Sequence, residues 1–306
     1  MKTLKYSVIG LAWLIGFAGQ GLYADCLSAP PGLVSWWRAE NNALDQAGTN
    51  HGTILSGTTF APGQVGQAFN FDASATSGLV IPSSPALNPT EAITLEAWVN
   101  PSSYPNTGPA IVRKDLNTVG TTQYSLNIGD GITAGVAHCS IGVVISVTGG
   151  LVPTNQWSHV AGTYDRQMLR LYVNGIEVAS APATAPIPTS SQNLGIGKED
   201  PFLDRSFAGL MDEISIYNRA LSAAEIQSIV TAGAAGKCLS LGPELRIVAA
   251  TPGFATISWT PPTPGFVLQE SLSLPSIHWT NSPSGTNNPV TVPATSPANF
   301  FRLAQP

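Results

Sequence analysis

The carboxylates are the residues of this sequence whose surroundings most restrict their chemistry. Asp212 lies within residues 207–217, where Leu210, Ile214 and Ile216 give the apolar pattern of a core strand. A carboxylate inside such a strand needs a partner, because burying it without one is strongly unfavourable. Backbone amides and a cation could each fill that role, and the strand alone leaves the choice open.

The other acidic residues do not have the spacing of a catalytic pair. A retaining glycoside hydrolase, for example, holds two carboxyl groups on one face, as alternate positions of a strand do. The acidic clusters that lack this spacing are Glu199, Asp200 and Asp204; Asp212 and Glu213; and Glu91 and Glu96. The G-x-S-x-G motif is absent and the four histidines are scattered. We therefore expect a protein without catalytic activity.

Short strands separated by turns must position these residues. Charged residues make up 10% of the chain and hydrophobic residues 43%, with 30 glycines and 25 prolines, which favours an all-β extracellular protein. Residues 92–101 alternate most regularly, and Asn174-Gly175 predicts a hairpin. Ser222 and Glu225 form a capping box ahead of the single convincing helix, residues 222–232. About a dozen short strands with one late helix predict a two-sheet antiparallel sandwich.

Residues 1–24 are predicted to be a signal peptide. Lys2 and Lys5 precede an apolar run over residues 8–18, which is too short for a membrane span, and Ala24 suits cleavage. We therefore expect a secreted or cell-surface protein with no membrane insertion after cleavage. Loss of the two lysines changes the net charge from −5 to −7, which argues against nucleic acid as a partner.

The three cysteines predict one disulfide bond. Cys26 follows the cleavage site and Cys238 follows the helix, so a bond between them would join the two ends of a first domain, residues 25–238. Cys139 remains unpaired in an apolar segment, where a buried small side chain is favoured over a reactive thiol. After Cys238 the chain becomes rich in Pro and Thr, and residues 239–306 predict a small C-terminal β module.

Several segments together resemble a known family. They occur in the order GLVSWWRAENNALDQAGTNHGT, GQVGQAFNFD, TLEAWVNP, WSHVAGTYD, LRLYVNGIEVAS, LGIG and GLMDEISIYNRALSAAEI, across residues 32–236. This set resembles the LamG-like jelly-roll domains of secreted bacterial proteins, which belong to the laminin-G type of the concanavalin A-like lectin/glucanase superfamily. The resemblance implies an all-β, two-sheet antiparallel jelly-roll sandwich with one short C-terminal helix, followed here by the small β module.

The resemblance also implies a structural calcium ion. The positions that match the family's site are Asp45, Asn50 and Asp212, with carbonyl groups from residues 45–53. The alternative is that Asp45 and Asn50 only build turns while Asp212 accepts backbone amides. Glu213, one residue out of phase with Asp212, is expected to face outward.

A binding module is the function that the resemblance favours, and carbohydrate is the expected ligand. Aromatic rings can stack on sugars, and Trp98, Trp157 and Tyr164 are the candidates, although for each residue taken singly a place in the core or its cover is favoured. The expected function is calcium-assisted, non-catalytic binding of a polysaccharide or glycan. The alternative is an adhesion domain that binds extracellular protein and holds calcium only for structure.

Overall fold

The computed structural model describes residues 26–106, 108–116, 121–200, 205–238, 244–251, 254–260, 267–272, 279–283, 286–293 and 300–304. The predicted signal peptide, residues 1–24, lies outside the described residues. The strands of the larger, N-terminal part are β1 (Leu27–Ser28), β2 (Leu33–Trp37), β3 (Thr53–Ile54), β4 (Thr58–Pro62), β5 (Gln67–Asp72), β6 (Leu79–Ile81), β7 (Ile93–Ser103), β8 (Ala110–Asp115), β9 (Thr122–Gly129), β10 (Ala134–Ile141), β11 (Ile145–Leu151), β12 (Ser158–Tyr164), β13 (Met168–Val173), β14 (Ile176–Pro182), β15 (Leu194–Ile196), β16 (Ala208–Tyr217) and β17 (Lys237–Cys238).

These strands form two large antiparallel sheets. The seven-stranded sheet has the order β11-β10-β9-β8-β15-β6-β3, and the eight-stranded sheet has the order β14-β13-β12-β7-β16-β5-β4, with β2 paired to β16. The sheets pack through a shared core of apolar side chains that includes Leu95, Leu126 and Ile214, all at most 1% exposed. The expectation of an all-β, two-sheet jelly-roll sandwich is confirmed.

Among the described residues there is one α-helix, α1 (Ala223–Ala232), and it covers part of the outer face of the eight-stranded sheet. Its capping box is formed as predicted, because Glu225 donates its amide to the Ser222 hydroxyl while its carboxylate accepts the Ser222 amide. Ile226 and Ile229 of the helix pack in one cluster with Tyr172 and Tyr217 of the sheet. The centre of this face, called the closed face below, is therefore shielded from solvent.

A bulge in β16 brings two neighbouring carboxylates to this closed face. Asp212 lies opposite Trp98 and Ser215 opposite Glu96, so three steps along β16 match two steps along β7. The extra residue is accommodated at Glu213, which has a φ of 56°. Glu213 is 1% exposed, and the expectation that it faces outward is wrong because alternation fails at a bulge.

Glu213 joins a buried group of charges that crosses the closed face. Lys237 lies 3.0 Å from Glu96 and 3.2 Å from Glu213, and the other Glu96 oxygen lies 2.8 Å from His159 Nε2. Lys237 also lies over the Trp36 ring, 5.3 Å from its centre. Burial acts to raise the pKa of Glu96, but Lys237 and His159 outweigh it and lower that pKa to about 2.

The two ends of the sandwich are joined beside this group. Strand β1 pairs in parallel with β17, and the predicted Cys26–Cys238 disulfide is confirmed, with the two Cα atoms 5.0 Å apart. Cys139 is buried and unpaired, and burial raises the pKa of its thiol to about 12, so it behaves as a small apolar side chain.

The C-terminal residues form two further three-stranded sheets. Their strands are β18 (Glu244–Ala249), β19 (Phe254–Thr260), β20 (Val267–Ser271), β21 (Thr280–Asn281), β22 (Val290–Pro293) and β23 (Phe300–Ala304), in the orders β18-β19-β22 and β21-β20-β23. Ile257, Trp259, Leu268 and Val292 form their small core. Among the residues described across both parts, none forms a helix long and apolar enough to cross a membrane.

The disulfide is expected to contribute strongly to stability. It closes a loop with a sequence separation of 212 residues, for which the chain-entropy treatment gives an upper figure of about 5 kcal/mol. Cys26→Ser/Cys238→Ser should therefore unfold at a much lower denaturant concentration than the wild type. Adding a reductant should shift the wild type and Cys139→Ala down together and leave the double variant unchanged. A wild type that is insensitive to reductant would contradict the prediction.

The pair of Glu96 and Lys237 should also respond to pH. Lys237→Met leaves Glu96 short of a buried partner and should cost about 3–5 kcal/mol at pH 7. Because the pKa of Glu96 is lowered in the folded state, its stabilising effect is present above pH 4.5 and is lost as the pH falls towards about 2. Urea unfolding at several pH values should show the two proteins converging over that window. Glu91→Gln, which alters an exposed ion pair, serves as a control with little effect at any pH.

Candidate binding site

The outer face of the seven-stranded sheet differs from the closed face because it contains a polar cavity. The cavity has a volume of about 260 Å³, enough for several water molecules. Its lining is Arg113, Thr122, Asn127, Asp130, His138, Ser140, Gly142, Val143, Ser146 and Arg205. We call this the polar cavity.

Strand register explains how the floor of the polar cavity is assembled. Ser125 of β9 lies opposite Arg113 of β8 on one side and Ser140 of β10 on the other, and Ser140 in turn lies opposite Ser146 of β11. These side chains form a row across four strands, about 14 Å long at the usual strand spacing of about 4.8 Å. The next row contains Asn127, His138 and Thr148. Side chains of alternate residues thus place two adjacent polar rows on one face.

The floor contains hydrogen-bonding groups with no partner inside the protein. Asn127 is 2% exposed; its amide nitrogen donates to the Ser125 hydroxyl at 3.0 Å, while its Oδ1 has no partner. Nε of Arg113 is buried and also lacks a hydrogen-bond acceptor. Buried polar atoms are nearly always satisfied, and these two belong to residues that line a cavity with room for solvent or a ligand.

The two arginines of the polar cavity are held by carboxylates. Arg113 lies 2.8 Å from Asp115 and 3.3 Å from Glu199, whose second oxygen lies 3.2 Å from Arg205 Nε. Glu199 therefore bridges both guanidinium groups and is itself only 3% exposed. Fixed by these ion pairs, the arginines present their remaining N–H groups in set directions.

His138 provides a neutral hydrogen-bonding group at the same place. Its Nδ1 lies 2.9 Å from the Thr148 hydroxyl. Burial lowers the pKa of His138, and the positive charges of Arg205 and Arg113 lower it further, while Asp130 acts in the opposite direction. The imidazole is therefore uncharged at pH 7, with Nε2 left to donate or accept according to its tautomer.

The aromatic residues predicted to bind a ligand all belong to the opposite side of the sandwich. Trp98 on β7 is 7% exposed and packs edge-on against His159, with ring centres 5.3 Å apart. Tyr164 is fully buried in the core and its hydroxyl donates to the Ala185 carbonyl at 2.6 Å. Trp157, just before β12, is half-buried. The structure therefore gives Trp98 and Tyr164 packing roles and leaves neither ring face free for a sugar.

Asp45 and Asn50 are close together, but their oxygens are already occupied. Asp45 Oδ1 accepts the amides of Trp36, Ala47 and Gly48, and Oδ2 accepts the amide of Asn50 at 3.0 Å. Asn50 Oδ1 accepts the Ser84 hydroxyl. These bonds fold the loop after β2 and join it to the sandwich.

Asp212, the third residue of the predicted calcium set, has separate partners. One oxygen accepts the Val65 amide at 2.8 Å and the other accepts the Glu213 amide at 2.7 Å. Burial raises the pKa of Asp212 to about 8, against the lowering effect of the Val65 amide and with a further increase from Glu213. Within the described ranges, no three His, Cys, Asp or Glu residues are grouped to hold a metal. As arranged, Asp45, Asn50 and Asp212 do not fit a calcium site.

Sequence reasoning missed the residues of the polar cavity. Its signal was present, since Thr122–Gly129 and Ala134–Ile141 alternate between small polar and apolar residues. What the pattern lacked was strand order, which aligns Asn127 with His138 and sets Arg113 beside Ser125. Arg205 reaches the same place from a different part of the chain.

Because amide donors occupy the carboxylate of Asp45, its role should be independent of calcium. Asp45→Ala should lose several hydrogen bonds and destabilise the protein by about 2–4 kcal/mol, and the loss should be equal in 5 mM calcium and in EDTA. The wild type should show the same midpoint of thermal unfolding in both buffers. A calcium-dependent increase in that midpoint, absent from Asp45→Ala, would restore the calcium site.

Comparisons with known proteins agree with this architecture. The family model described as the concanavalin A-like lectin/glucanases superfamily matches residues 72–227. One similar solved structure is domain 4 of AbnA, a GH43 extracellular arabinanase from Geobacillus stearothermophilus, in complex with arabinotriose. It has 21% sequence identity and a TM-score of 0.53, with coverage of 64% of this chain and 97% of that chain.

Two other similar structures belong to longer chains. The binding domain of Paraclostridial Mosquitocidal Protein 1 is 16% identical with a TM-score of 0.53, covering 74% of this chain and 64% of that one. Trypanosoma rangeli sialidase is 17% identical with a TM-score of 0.52, covering 69% of this chain and 36% of the sialidase. No curated protein matches the chain. At these identities the structures show the fold alone, but the family model spans half of the sequence, and the protein belongs to the concanavalin A-like lectin/glucanase superfamily.

Proposed function

We propose that this protein is an extracellular, non-catalytic binding module that takes up carbohydrate in the polar cavity. The observation that carries the proposal is a polar cavity whose lining includes two residues with unpaired buried polar atoms, Oδ1 of Asn127 and Nε of Arg113. Sugar hydroxyls can donate to the first atom and accept from the second. The solved arabinanase domain similar in fold was observed with arabinotriose, which adds support.

The supply of hydrogen-bonding groups suits a molecule covered with hydroxyls. Ser140 and Ser146 offer hydroxyls, Asn127 offers an acceptor, and the neutral imidazole of His138 offers a further nitrogen. Apart from Val143, the lining presents polar side chains or the glycine backbone. Orientation by several polar groups of fixed geometry is how small-ligand sites obtain specificity.

The carboxylates near the polar cavity favour binding over hydrolysis. Asp115 and Glu199 are bound to arginines, and one oxygen of Asp130 accepts the amides of Ile132 and Thr133. These hydrogen bonds lower the pKa of Asp130, so it is ionised at neutral pH. A glycosidase needs one protonated carboxyl beside one ionised carboxylate. Because Asp115 and Glu199 are held by arginines, they are not free to act as a catalytic pair.

An adhesion role is the second candidate, because apolar side chains are exposed at both ends of β10. Ile132 is 85% exposed before the strand, and Val143 and Val144, which follow it, are 64% and 88% exposed. Exposed aliphatic side chains favour contact with a protein surface. Truncating Ile132 and Val144, which do not line the polar cavity, to alanine would leave a glycan held by the polar rows in place and would weaken binding of a protein partner.

The carbohydrate proposal is tested with a variant that fills the polar cavity. Ser146 is an exposed residue of edge strand β11, and Ser146→Trp should abolish retention of the exported protein on the polysaccharide it binds. Ser180→Trp makes the same change at an exposed position of β14, the edge strand of the other sheet, and should bind like the wild type. Equal loss in both variants, or in neither, would contradict the site.

A second variant tests the group on which the proposal rests. Asn127→Ala removes the unpaired acceptor and should weaken binding by about tenfold, the effect of losing one or two hydrogen bonds worth about 1.4 kcal/mol together. Isothermal titration with the retained oligosaccharide measures the loss, and thermal unfolding checks that the variant is folded. Both measurements are made in calcium and in EDTA, which separates the predicted calcium assistance from binding itself. No step of the proposal depends on calcium.

A further inference from the structure

We propose that the polar cavity selects neutral saccharides and discriminates against those that carry carboxylate or sulfate groups. This inference rests on the proposed function and adds the chemical class of the ligand. Two arginines in a site would by themselves favour an anionic sugar. The charge balance of the whole site gives the opposite preference.

The arginines are already neutralised by the protein. Glu199 binds both guanidinium groups, with one oxygen 3.3 Å from Arg113 and the other 3.2 Å from Arg205, and Asp115 lies 2.8 Å from Arg113. Glu199 and Asp115 are almost wholly buried, so these ion pairs are only weakly screened by solvent. An anionic ligand would have to compete with Asp115 and Glu199 for Arg113, and with Glu199 for Arg205.

The polar cavity as a whole has an excess of negative charge. Among the described residues that line it or bind its arginines, Arg113 and Arg205 stand against Asp115, Glu199 and Asp130. His138, the other basic residue in the lining, is neutral because burial lowers its pKa. A carboxylate brought into this site would therefore meet repulsion without an unpaired cation to offset it.

The groups that remain free are suited to hydroxyls. Asn127 Oδ1 is an acceptor, and it would face an anionic oxygen unfavourably because neither atom has a proton to donate. A sugar hydroxyl has a proton to donate to such an acceptor, whereas an ionised carboxylate has none. Ser140 and Ser146 can adapt as donors or acceptors, and they carry no charge. The floor therefore matches a neutral polyol.

The test compares oligosaccharides that differ only in charge. Pairs of oligoglucosides with oligoglucuronates, oligogalactosides with oligogalacturonates, and oligomannosides with oligomannuronates change a hydroxymethyl group into a carboxylate. The wild type should bind the neutral member of the recognised pair at least about tenfold more tightly, equivalent to about 1.4 kcal/mol. Its affinity should change little between 50 and 500 mM salt, because no charge pair forms with the ligand.

Charge variants then test the cause of the preference. Asp130→Asn removes one negative charge from the rim while keeping the oxygen that accepts the amides of Ile132 and Thr133. Glu199→Gln removes the charge that bridges the arginines. Each should raise the ratio of anionic to neutral affinity about three- to tenfold, in line with single-charge effects on binding. If Glu199→Gln, at a buried position, prevents folding, Asp130→Asn still tests the cause.

The possible results separate this inference from the proposed function. Tighter binding of the anionic member, lost in high salt, would overturn the preference and leave carbohydrate binding intact. An unchanged ratio of anionic to neutral affinity in both charge variants would overturn its electrostatic cause. If neither member of any pair binds, and Ser146→Trp and the wild type show equal retention on polysaccharide, the carbohydrate proposal itself fails.

Discussion

The buried contact of Lys237 with Glu96 and Glu213 is the interaction on which the arrangement of the sandwich depends. It connects the last strand of the jelly roll to β7 and β16, which are neighbours in the eight-stranded sheet. The next residue, Cys238, is bonded to Cys26, so the charge pair and the disulfide fix the same point. Charges taken out of water are favourable only when each is paired. Here the pairing requires β17 to lie beside β7 and β16.

The two outer faces of the sandwich differ, because one is covered and the other contains the polar cavity. Helix α1 and the paired strands β1 and β17 cover the eight-stranded sheet, where an apolar cluster surrounds Tyr172 and Tyr217. The seven-stranded sheet instead has polar rows over its outer face and the polar cavity between them and Arg205. The core between the sheets is the same for both. The two outer faces therefore differ both in what covers them and in the side chains that their strands present.

Much of the fold could be predicted because it depends on local patterns. The capping box of Ser222 and Glu225, the Asn174-Gly175 turn between β13 and β14, and the alternation in β7 each act over a few residues. Trp36 and Trp37 likewise point to opposite faces, one beneath Lys237 and one into the core. Disulfide pairing followed from the position of Cys26 and Cys238 at the two ends.

The site could not be predicted in the same way because its residues are related by register and not by spacing. Glu213 was placed outward by strict alternation, and a single bulge reversed it. Asp212 was correctly expected to need a partner, but only the structure shows that backbone amides of Val65 and Glu213 fill this role. The aromatic candidates were chosen by residue type, and type does not distinguish a ring in the core from one on a surface.

An unpaired polar atom is informative only when something can reach it. The closed face also has such atoms, including Trp36 Nε1 and the Tyr217 hydroxyl, but these lie beneath the helix and the joined termini. Asn127 Oδ1 is equally buried, yet its residue lines a cavity of about 260 Å³ with His138 and Arg205. In the proposed function, ligand hydroxyls bind among the polar residues that line this cavity. The cavity, in addition to the unpaired atom, is what favours the outer face of the seven-stranded sheet over the closed face as the proposed binding surface.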